Sequence, residues 1–387
     1  MKKKYKIAVL VDLLIPGGVQ KTAIQEVANL RKMGFDALLL VLTRHGFSQK
    51  NSYLVKDIPH EFLSDRYPKF LQNSHRIPPF KFLSTLHLLS PLIAPFKVKK
   101  GEFGAILSHG TTTSFTSLSL FYFKKIPYIT MIHDPMAYIF DKVYSKTLLK
   151  QLTPLFRFIT PYLERKIVKN AYFCFVASTV HAKFLKSNYK IDPQILYLGV
   201  KASKDLPKKH GVKVLSFGRW EKEKNIAKIL ELAESLPNNK FTVAGTWTDK
   251  RDLAWFKKEI SARKLQNRVE LIVNYTEEQL TKLCRQSRFW VHPNFEAFSL
   301  SALEAASHGL PIIIPKGSGV TELFTEGKHG FFPNVNDKKT YIKTMRFLLN
   351  NPQQSNKMGL NAAKIAKAYT WAKHSQIIAN KIRKILS

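Results

Sequence analysis

Apolar runs alternate with helical patterns along the first half of the chain. The run Lys6–Asp12 is followed by a Pro-Gly-Gly turn, by Val19–Met33 with apolar residues about 3.6 positions apart, and by the run Ala37–Leu42. Continuous apolar runs are typical of parallel strands buried on both faces. The pattern therefore predicts a strand, a helix and a second parallel strand. Three further strands are predicted in this half, at Ala105–Ser108, Pro127–Ile132 and Tyr172–Ala177.

The second half repeats this alternation more regularly. Its predicted strands are Val212–Phe217 and Phe241–Ala244, ended by Gly218 and Gly245, then Val269–Val273, Phe289–His292 and Ile312–Ile314. Its predicted helices are Asn225–Leu236, Asp249–Arg263, one opened by the capping box of Thr276 and Gln279, Ser299–Ser307, and one near Val320. We expect an α/β fold with two doubly wound sheets. Ligands in such sheets bind beyond the carboxyl ends of the strands, so the cleft between two domains is the expected site.

Length and composition fit two domains. The chain has 387 residues, of which 45% are hydrophobic, which excludes a disordered basic tail. The polar stretch from Gly199 to Gly211 marks the expected boundary. Two cysteines exclude a disulfide framework and a multi-cysteine zinc site, and favour a reducing compartment. The apolar stretch Phe82–Phe96 contains two prolines and is shorter than a membrane-spanning helix, so no span is predicted.

Several common catalytic motifs are missing from the sequence. It has no Gly-x-Gly-x-x-Gly after a strand, no P-loop, no Gly-x-Ser-x-Gly and no His-Glu-x-x-His. No two aspartates are separated by one residue, so the short acidic pair that often holds a metal on nucleotide phosphates is missing too. The sequence indicates neither a metal nor an enzyme nucleophile.

Two candidate sites lie in the first half. Gly17 and Gly18 follow the first strand and open a helix, where backbone N–H groups and the helix dipole favour an anion. A tight turn that needs glycine is the alternative. His133 follows the strand Pro127–Ile132 and can titrate near neutrality or position a hydroxyl group. A buried histidine bonded to the backbone is the alternative there.

The second half contributes two further candidates. Gly218, Arg219 and Lys224 come at a strand end and before the next helix, where two cations suit a pyrophosphate. A solvated surface pair is the alternative in so basic a chain. Glu296 and Glu304 flank the start of a predicted helix and can face one pocket. Glu304 also matches a capping box with Ser301, in which it would only satisfy a backbone donor.

Together these residues resemble the retaining family 4 glycosyltransferases of the GT-B fold. The motifs that carry the resemblance are Pro16-Gly-Gly-Val-Gln, Ile132-His-Asp, Gly218-Arg-Trp with Lys224-Asn, Phe241-Thr-Val-Ala-Gly, Arg288-Phe-Trp-Val-His-Pro, the segment Glu296–Glu304, Gly309-Leu-Pro and Gly317-Ser-Gly-Val-Thr-Glu. The resemblance covers most of the chain and is strongest from Val212 to Phe332. It implies an acceptor-binding Rossmann-like domain at 1–200, a donor-binding one at 201–368 and a helix at 369–387 that packs back on the first.

The resemblance also implies a role for each matching residue. Arg219 and Lys224, with Gly218 beside them, hold the donor diphosphate and offset its growing charge. Glu304 accepts hydrogen bonds from the ribose, and Glu296 contacts the transferred sugar near the amides of Phe298, Ser299 and Leu300. His133 contacts the sugar from the first domain, while Gly17 and Gly18 admit the diphosphate and the acceptor. In this family the leaving phosphate takes the acceptor proton, so no enzyme nucleophile is required. Neither a metal nor a cofactor is expected, and a UDP- or GDP-sugar is the substrate.

Two motifs depart from the family pattern. The usual Glu-Gly-Phe-Gly-Leu is here Glu296-Ala-Phe-Ser-Leu300, which places two side chains where glycines allow close approach to the sugar. The usual Asn-Gly-Val-Asp reads Leu198-Gly-Val-Lys201, so a lysine stands where the family has an acid. The first departure concerns which sugar is bound, and no physical account is offered for the second.

The chain has a formal charge of +35. Seven basic residues and no acidic one lie between Arg66 and Lys100, among several aromatic residues: Arg66, Lys69, Arg76, Lys81, Lys97, Lys99 and Lys100. A second basic group comprises Lys142, Lys146, Lys150, Arg157, Arg165, Lys166 and Lys169. Basic and aromatic residues together suit an anionic membrane surface, a nucleic acid or simple solvation.

The favoured hypothesis is a glycosyltransferase at the cytoplasmic side of a membrane that acts on a lipid-linked or surface glycan. Another GT-B activity, such as a nucleotide-sugar epimerase or hydrolase, is one alternative. A non-catalytic relative that binds a nucleotide sugar is another. Binding of nucleic acid is disfavoured, because no recognition helix or RNA-binding signature is present and because such binding does not require the combination of Arg219, Lys224, Glu296 and Glu304.

Overall fold

The computed structural model describes residues 5–45, 47–72, 85–133, 153–203, 206–207, 210–247 and 249–387. The chain divides into two compact units. Unit 1 comprises Met1–Gly199 together with Trp371–Ser387, and unit 2 comprises Val200–Thr370. The last helix therefore belongs to the same unit as the amino-terminal half.

Unit 1 is built on a parallel sheet of seven strands in the order β3-β2-β1-β4-β5-β6-β7. The strands are β1 (Lys6–Val11), β2 (Asp36–Val41), β3 (His60–Phe62), β4 (Ala105–His109), β5 (Tyr128–Ile132), β6 (Phe173–Val176) and β7 (Gln194–Ile195). The central strands β1, β4 and β5 are almost wholly buried, as expected for strands covered on both faces. The strand positions predicted from the apolar runs are confirmed to within one or two residues.

The helices of unit 1 cover this sheet. They are α1 (Gly18–Lys32), α2 (Lys69–Gln72), α3 (Thr85–Lys97), α4 (Thr111–Lys124), α5 (Thr153–Asn170) and α6 (Thr179–Tyr189), with 3₁₀ turns at Gln49–Val55 and Leu63–Arg66. The carboxyl-terminal helix (Trp371–Leu386) packs against α1. Its buried residues Trp371, His374, Ser375, Ile378, Ala379 and Ile382 recur with helical spacing, so one face of this helix lies in the core of unit 1.

Unit 2 has a parallel sheet of six strands in the order β10-β9-β8-β11-β12-β13. The strands are β8 (Lys213–Trp220), β9 (Phe241–Trp247), β10 (Val269–Val273), β11 (Ser287–Val291), β12 (Ile312–Ile313) and β13 (Gly330–Phe331). The helices are α7 (Ala227–Ser235), α8 (Lys250–Ala262), α9 (Glu277–Gln286), α10 (Leu300–Ser307), α11 (Lys338–Asn350) and α12 (Pro352–Ala366), and the carboxyl-terminal helix of unit 1 is α13. Two buried clusters, one on each face of the sheet, form the core.

Two predicted strand ends are wrong. Strands β8 and β9 do not end at Gly218 and Gly245 but continue side by side, with Gly218 opposite Gly245 and Trp220 opposite Trp247. The glycines make this possible, because a Cβ atom on Gly245 would lie 2.1 Å from the carbonyl oxygen of Gly218. Arg219 is consequently the penultimate residue of a strand rather than a loop residue.

Two helix predictions also need correction. The element near Val320 is a short 3₁₀ turn, Gly319–Leu323, rather than a helix. Helix α10 is capped by Ser299, whose Oγ accepts from the amide of Ala302, so Ser301 and Glu304 do not form the alternative capping box. The predicted capping box of Thr276 and Gln279 is confirmed at the start of α9.

Candidate functional site

Most of the predicted site residues of unit 2 lie at the carboxyl end of its sheet. Lys224 is in the 3₁₀ turn after β8, and Glu296 is in the loop between β11 and α10. The Nζ atom of Lys224 lies 2.8 Å from Oε1 of Glu296, although 72 positions separate the two residues in the sequence. The structure thus joins the residue predicted for the diphosphate to the residue predicted for the sugar in one ion pair.

A third residue completes this group. The Nε2 atom of His292 lies 3.1 Å from the same Oε1 of Glu296. The imidazole ring stacks on Trp290, with the ring centroids 5.6 Å apart and the planes at 4°, and on Trp220, at 5.4 Å and 27°. Two large buried rings therefore fix the orientation of His292 toward Glu296.

Glu296 is held as a carboxylate. Its burial alone would raise its pKa, but the charge of Lys224 and the hydrogen bonds from His292 and Lys224 lower the pKa to about 2. The backbone of the residue is held as well, since the amide of Gly319 donates to the carbonyl oxygen of Glu296 over 3.0 Å. The loop thus presents a fixed negative charge beside a fixed positive one.

Arg219 points to a different acid. Its Nε atom lies 3.1 Å from Oε1 of Glu221, and its side chain is 40% exposed. Gly218, next to it, faces the start of α10, because a Cβ atom there would lie 3.3 Å from Oγ of Ser301. The end of β8 and the first turn of α10 are therefore neighbours.

The first turn of α10 carries the remaining predicted residues of unit 2. Ser299 is the buried cap, Leu300 is the first helical residue, and Phe298 packs on the buried cluster of one sheet face. Backbone N–H groups in the first turn of a helix have no partner within the helix and suit an anion. Glu304 is one turn further along; burial raises the pKa of the Cys284 thiol, and the charge of Glu304 adds to that rise.

In unit 1, Gly17 and Gly18 begin α1. Gly17 has a φ of −177°, which any residue can adopt, and no side chain caps the helix. A Cβ atom on Gly18 would meet no other atom within 4 Å. Neither glycine is thus required by a left-handed backbone, and Gly18 is not required by close packing, which argues against the tight-turn alternative.

His133 follows β5 and belongs to a buried chain of ionisable residues. Its Nε2 atom lies 3.0 Å from Nδ1 of His109, at the end of β4. The Nε2 atom of His109 lies 2.6 Å from Oε2 of Glu26 on α1, and Nε2 of His374 on α13 lies 2.8 Å from Oε1 of the same carboxylate. His133 is hydrogen-bonded to a side chain, whereas the structural alternative considered from the sequence was a buried histidine hydrogen-bonded to the backbone.

The electrostatics of this chain follow from its burial. The side chains of Glu26 and His109 are fully buried. Burial raises the pKa of Glu26, but its interactions with His109 and His374, which include a hydrogen bond from each ring, outweigh it and hold the pKa at about 2. Burial, together with the neighbouring His109, lowers the pKa of His133 to about 3. A carboxylate and a neutral His133 are the stable forms near pH 7.

Sequence reasoning placed His133 but missed the residues behind it. Glu26 and His374 stand at positions where the pattern predicts helices, and nothing local distinguishes them, whereas His109 directly follows the predicted strand Ala105–Ser108. His292 was recognised as the end of a strand and as part of the motif Arg288-Phe-Trp-Val-His-Pro, but no role was assigned to it. A histidine directly at the carboxyl end of a parallel strand is the signal that would have pointed to both His109 and His292.

Gly17, Gly18 and His133 lie in unit 1, and the other predicted site residues lie in unit 2. In the described part of the chain, no group of three His, Cys, Asp or Glu side chains is arranged to hold a metal ion. Among the same residues, no helix combines the length and apolar character needed to cross a bilayer.

The structure describes only some members of the two groups of basic residues in the first half of the chain. Arg66 is neutralised, since its guanidinium lies 2.6 Å from Glu61 and 2.7 Å from Glu102. Lys99 and Lys100 are exposed, close in sequence to Phe96, which is 83% exposed. Arg76, Lys81, Lys142, Lys146 and Lys150 lie outside the described residues, as does the side chain of Arg157.

Comparison with protein families gives a match in the second half of the chain. Residues 201–365 match the family model of glycosyl transferases group 1, which covers nearly all of unit 2. The recognition of a glycosyltransferase from the sequence is confirmed for this segment, and the finer assignment to family 4 stays a prediction.

Curated relatives match the chain in part. A GDP-mannose:cellobiosyl-diphosphopolyprenol alpha-mannosyltransferase of Xanthomonas campestris is 33% identical over 129 residues, which are 32% of this chain and 34% of the relative. A D-inositol 3-phosphate glycosyltransferase of Streptomyces avermitilis is 30% identical over 96 residues, 24% of this chain and 21% of the relative. The chain thus spans about a third or less of the length of these relatives.

Solved structures match over the whole chain. The Anabaena protein HepE in complex with UDP and glucose gives a TM-score of 0.74 at 16% identity, covering 98% of this chain and all of that one. A sucrose-phosphate synthase from Thermosynechococcus elongatus gives 0.73 at 14% identity, covering 98% of both chains. Likeness at such identities shows the fold alone, and the predicted GT-B fold class, with two Rossmann-like units, is confirmed.

Proposed function

We propose that the protein is a glycosyltransferase that moves a sugar from a nucleoside-diphosphate sugar to an acceptor hydroxyl group. The main support is the ion pair of Lys224 and Glu296 at the carboxyl end of the sheet, inside the segment that matches group 1 glycosyltransferases. A cation suits the diphosphate, and a fixed carboxylate suits the hydroxyl groups of a sugar. Neither group would be required by a protein that binds nucleic acid.

In this proposal each residue has one task. Arg219 and Lys224 bind the donor diphosphate, with the backbone around Gly218 and the amides of Phe298, Ser299 and Leu300 completing the anion site. Glu304 accepts from the ribose. Glu296 accepts from a hydroxyl group of the transferred sugar, and His133 contacts that sugar from unit 1. Gly17 and Gly18 leave room for the diphosphate and the acceptor.

The bond-breaking step is the departure of the nucleoside diphosphate. Its charge increases as the glycosidic bond breaks, and fixed cations stabilise that charge more in the transition state than in the ground state. We propose retention of the anomeric configuration, with the acceptor proton passing to the leaving phosphate, and no cofactor or metal ion. The support is that neither a nucleophile motif nor a metal motif is found in the sequence.

The donor is proposed to be a UDP- or GDP-sugar, and the acceptor a lipid-linked or cell-surface glycan. The relative from Xanthomonas campestris carries GDP-mannose and a diphosphopolyprenol in its name, and HepE was solved with UDP and glucose. The exposed Phe96, Lys99 and Lys100 of unit 1 support a peripheral attachment to an anionic membrane surface at the cytoplasmic face.

The test begins with thermal unfolding in the presence of UDP, GDP and ADP, because a bound ligand raises the midpoint by mass action. Sugar donors of the stabilising nucleotide are then incubated with and without EDTA, with lipid-linked and free glycans as acceptors. Transfer to an acceptor supports the proposal, and NMR of the product shows whether the configuration is retained. Release of free sugar alone would point to a hydrolase, and a rearranged donor to an epimerase.

A further inference from the structure

His133 is the last member of a chain of hydrogen-bonded residues, most of which are buried. It runs from Tyr197 through His374, Glu26 and His109 to His133, with every step within hydrogen-bond distance. The five residues come from five separate segments of unit 1. Three of the four ionisable side chains, Glu26, His109 and His374, are almost completely inaccessible to solvent. Which ring nitrogens in such a chain carry a proton can be worked out step by step, starting from the carbonyl oxygen of Tyr197.

The chain begins at a backbone carbonyl group, that of Tyr197. The Nδ1 atom of His374 lies 2.9 Å from the carbonyl oxygen of Tyr197, which can only accept, so Nδ1 of His374 carries a proton. The carboxylate of Glu26 can also only accept. Nε2 of His374 therefore donates to Oε1 of Glu26, and His374 carries both ring protons.

The same reasoning continues through His109. Oε2 of Glu26 accepts from Nε2 of His109 over 2.6 Å, so the Nε2 atom of His109 is protonated. His374 already balances the negative charge of Glu26, and a second buried cation beside it would have no partner of its own, so His109 is neutral. Its Nδ1 atom is then a lone pair that faces Nε2 of His133 at 3.0 Å. Nε2 of His133 must then be the donor. The remaining nitrogen, Nδ1 of His133, is left as an acceptor.

We propose that Glu26, acting through His109, is a positioning residue that fixes the Nε2–H tautomer of His133 and keeps its Nδ1 atom as a hydrogen-bond acceptor for a substrate hydroxyl group. This inference rests on the proposed function for its substrate, since His133 is placed there on the transferred sugar. The tautomer itself depends only on unit 1. A histidine oriented by a carboxylate through its second nitrogen is a general way of fixing which nitrogen is basic.

Two substitutions of Glu26 separate its roles. In E26Q the amide oxygen can accept from Nε2 of His109 while the amide nitrogen donates to Nε2 of a neutral His374, so the proton order at His133 is kept. In E26M no acceptor remains for Nε2 of His109. His109 can then carry its proton on Nδ1 and donate to His133, which places the proton of His133 on Nδ1.

The primary readout is the protonation of the ring nitrogens of His133, measured by long-range ¹H–¹⁵N NMR on the full chain labelled with ¹⁵N-histidine and assigned with H133Q. We expect the Nε2–H tautomer in the wild type and in E26Q, and a substantial Nδ1–H population in E26M. The control is S108A, which removes a buried hydroxyl next to His109 that bonds to Ile129 and Ser114 but not to the histidines. It should leave the tautomer unchanged.

The second readout is kinetic. With the donor that the wild type uses, we expect kcat to fall about tenfold in E26M, as for the loss of one hydrogen bond in the transition state, with the Kd of the nucleoside diphosphate unchanged. E26Q should recover most of the activity. A loss in E26Q as large as that in E26M, with the tautomer kept, would show that the charge of Glu26 matters and its effect on the tautomer does not.

The inference can be overturned whether or not E26M folds. An Nδ1–H tautomer or a doubly protonated His133 in the wild type contradicts it, even if E26M does not fold. A folded E26M with an unchanged His133 tautomer contradicts it as well. If no sugar donor is used by the wild type, the proposed function fails while the NMR result still decides the tautomer.

Discussion

Lys224 and Glu296 are bound to each other in this structure, with 2.8 Å between the ammonium nitrogen and the carboxylate oxygen. Each side chain remains about one fifth exposed, so the pair can still meet a ligand. Such a pair orders two long side chains before a substrate arrives, which lowers the entropic cost of binding. The phosphate of a donor would then share Lys224 with Glu296 instead of ordering a free lysine.

Replacing Lys224 by alanine should weaken the binding of the preferred nucleoside diphosphate. A hydrogen bond to a charged group contributes roughly 1.5–3 kcal/mol, and because Lys224 also serves Glu296 we expect about 2 kcal/mol, or roughly a thirtyfold increase in Kd. Isothermal titration calorimetry measures this directly. K222A is the matched control: Lys222 is exposed in the same 3₁₀ turn, with Nζ 4.9 Å from the centroid of the Trp255 ring. Equal affinity in K224A and K222A would remove Lys224 from the site.

Substitutions of Gly18, at the start of helix α1, and of Gly34, just after its end, test whether a ligand approaches the start of this helix. Gly18 has free space around its Cβ position, whereas Gly34, just after the helix, has a φ of +89°. G18A should keep or slightly raise the free energy of unfolding, because alanine is a better helix residue. G34A should lower it by about 1 kcal/mol, since an alanine in the left-handed region is strained.

Activity should be affected by G18A and not by G34A, the reverse of the expected effects on stability. If a substrate lies against the start of α1, G18A lowers kcat/KM although the protein is no less stable, and G34A leaves kcat/KM unchanged. Urea unfolding and steady-state kinetics on the same preparations give both quantities. Full activity in G18A would mean that no ligand approaches this helix end closely.

The fold was largely predictable from local patterns. Runs such as Lys6–Val11 are apolar throughout because both faces of a parallel sheet are covered, and that pattern is visible without any structure. The errors came where a tertiary contact overrode a local rule. Gly218 and Gly245 resemble strand ends, but they face each other across two strands that continue, and neither sequence neighbourhood contains that information.

The candidate site was less predictable, for a physical reason. His109 and Glu26 meet across 83 sequence positions, and His374 meets Glu26 across 348. Only the packing of α1 between the sheet and the last helix brings them together. His133 directly follows a strand and Glu296 lies in the loop after one, so both could be proposed, whereas Glu26 and His374 lie within helices and carry no local signature.

Attachment to a membrane should depend on Lys99 and Lys100. Each cation near an anionic lipid surface contributes about 1 kcal/mol, so K99E/K100E should reduce binding to phosphatidylglycerol vesicles by about 2 kcal/mol or more, roughly thirtyfold. Vesicle flotation at low and high salt measures this, and binding of the wild type should weaken with salt because the attraction is screened. Phosphatidylcholine vesicles should not bind.

K257E/K258E is the matched control for this experiment. It makes the same change of charge on exposed lysines of α8 in unit 2. An equal loss of binding in both double variants would mean that total charge drives attachment, and the surface of unit 1 would have no special role. Binding that does not distinguish the two lipids would remove the membrane from the proposed function.

The lowered pKa of His133 predicts a pH dependence of stability. His133 has a pKa of about 3 in the folded protein, because it is buried among His109, His181 and His374 with Glu26 as the compensating charge. Its unfolded value is near 6.5. The folded state therefore binds fewer protons, so the stability associated with a neutral His133 is fully present above pH 6.5 and declines steadily as the pH falls toward 3.

H133Q removes this titration while its side-chain amide can still reach His109. Between pH 7.5 and pH 5.0 the free energy of unfolding of the wild type should fall by about 2 kcal/mol more than that of H133Q, as measured by urea unfolding. Glu26 and Glu296 do not disturb the comparison, because their lowered pKa values make them lose stability only between pH 4.5 and 2. S108A, which removes no titrating group, should shift both values equally. Parallel pH profiles of wild type and H133Q would mean that folding does not lower the pKa of His133.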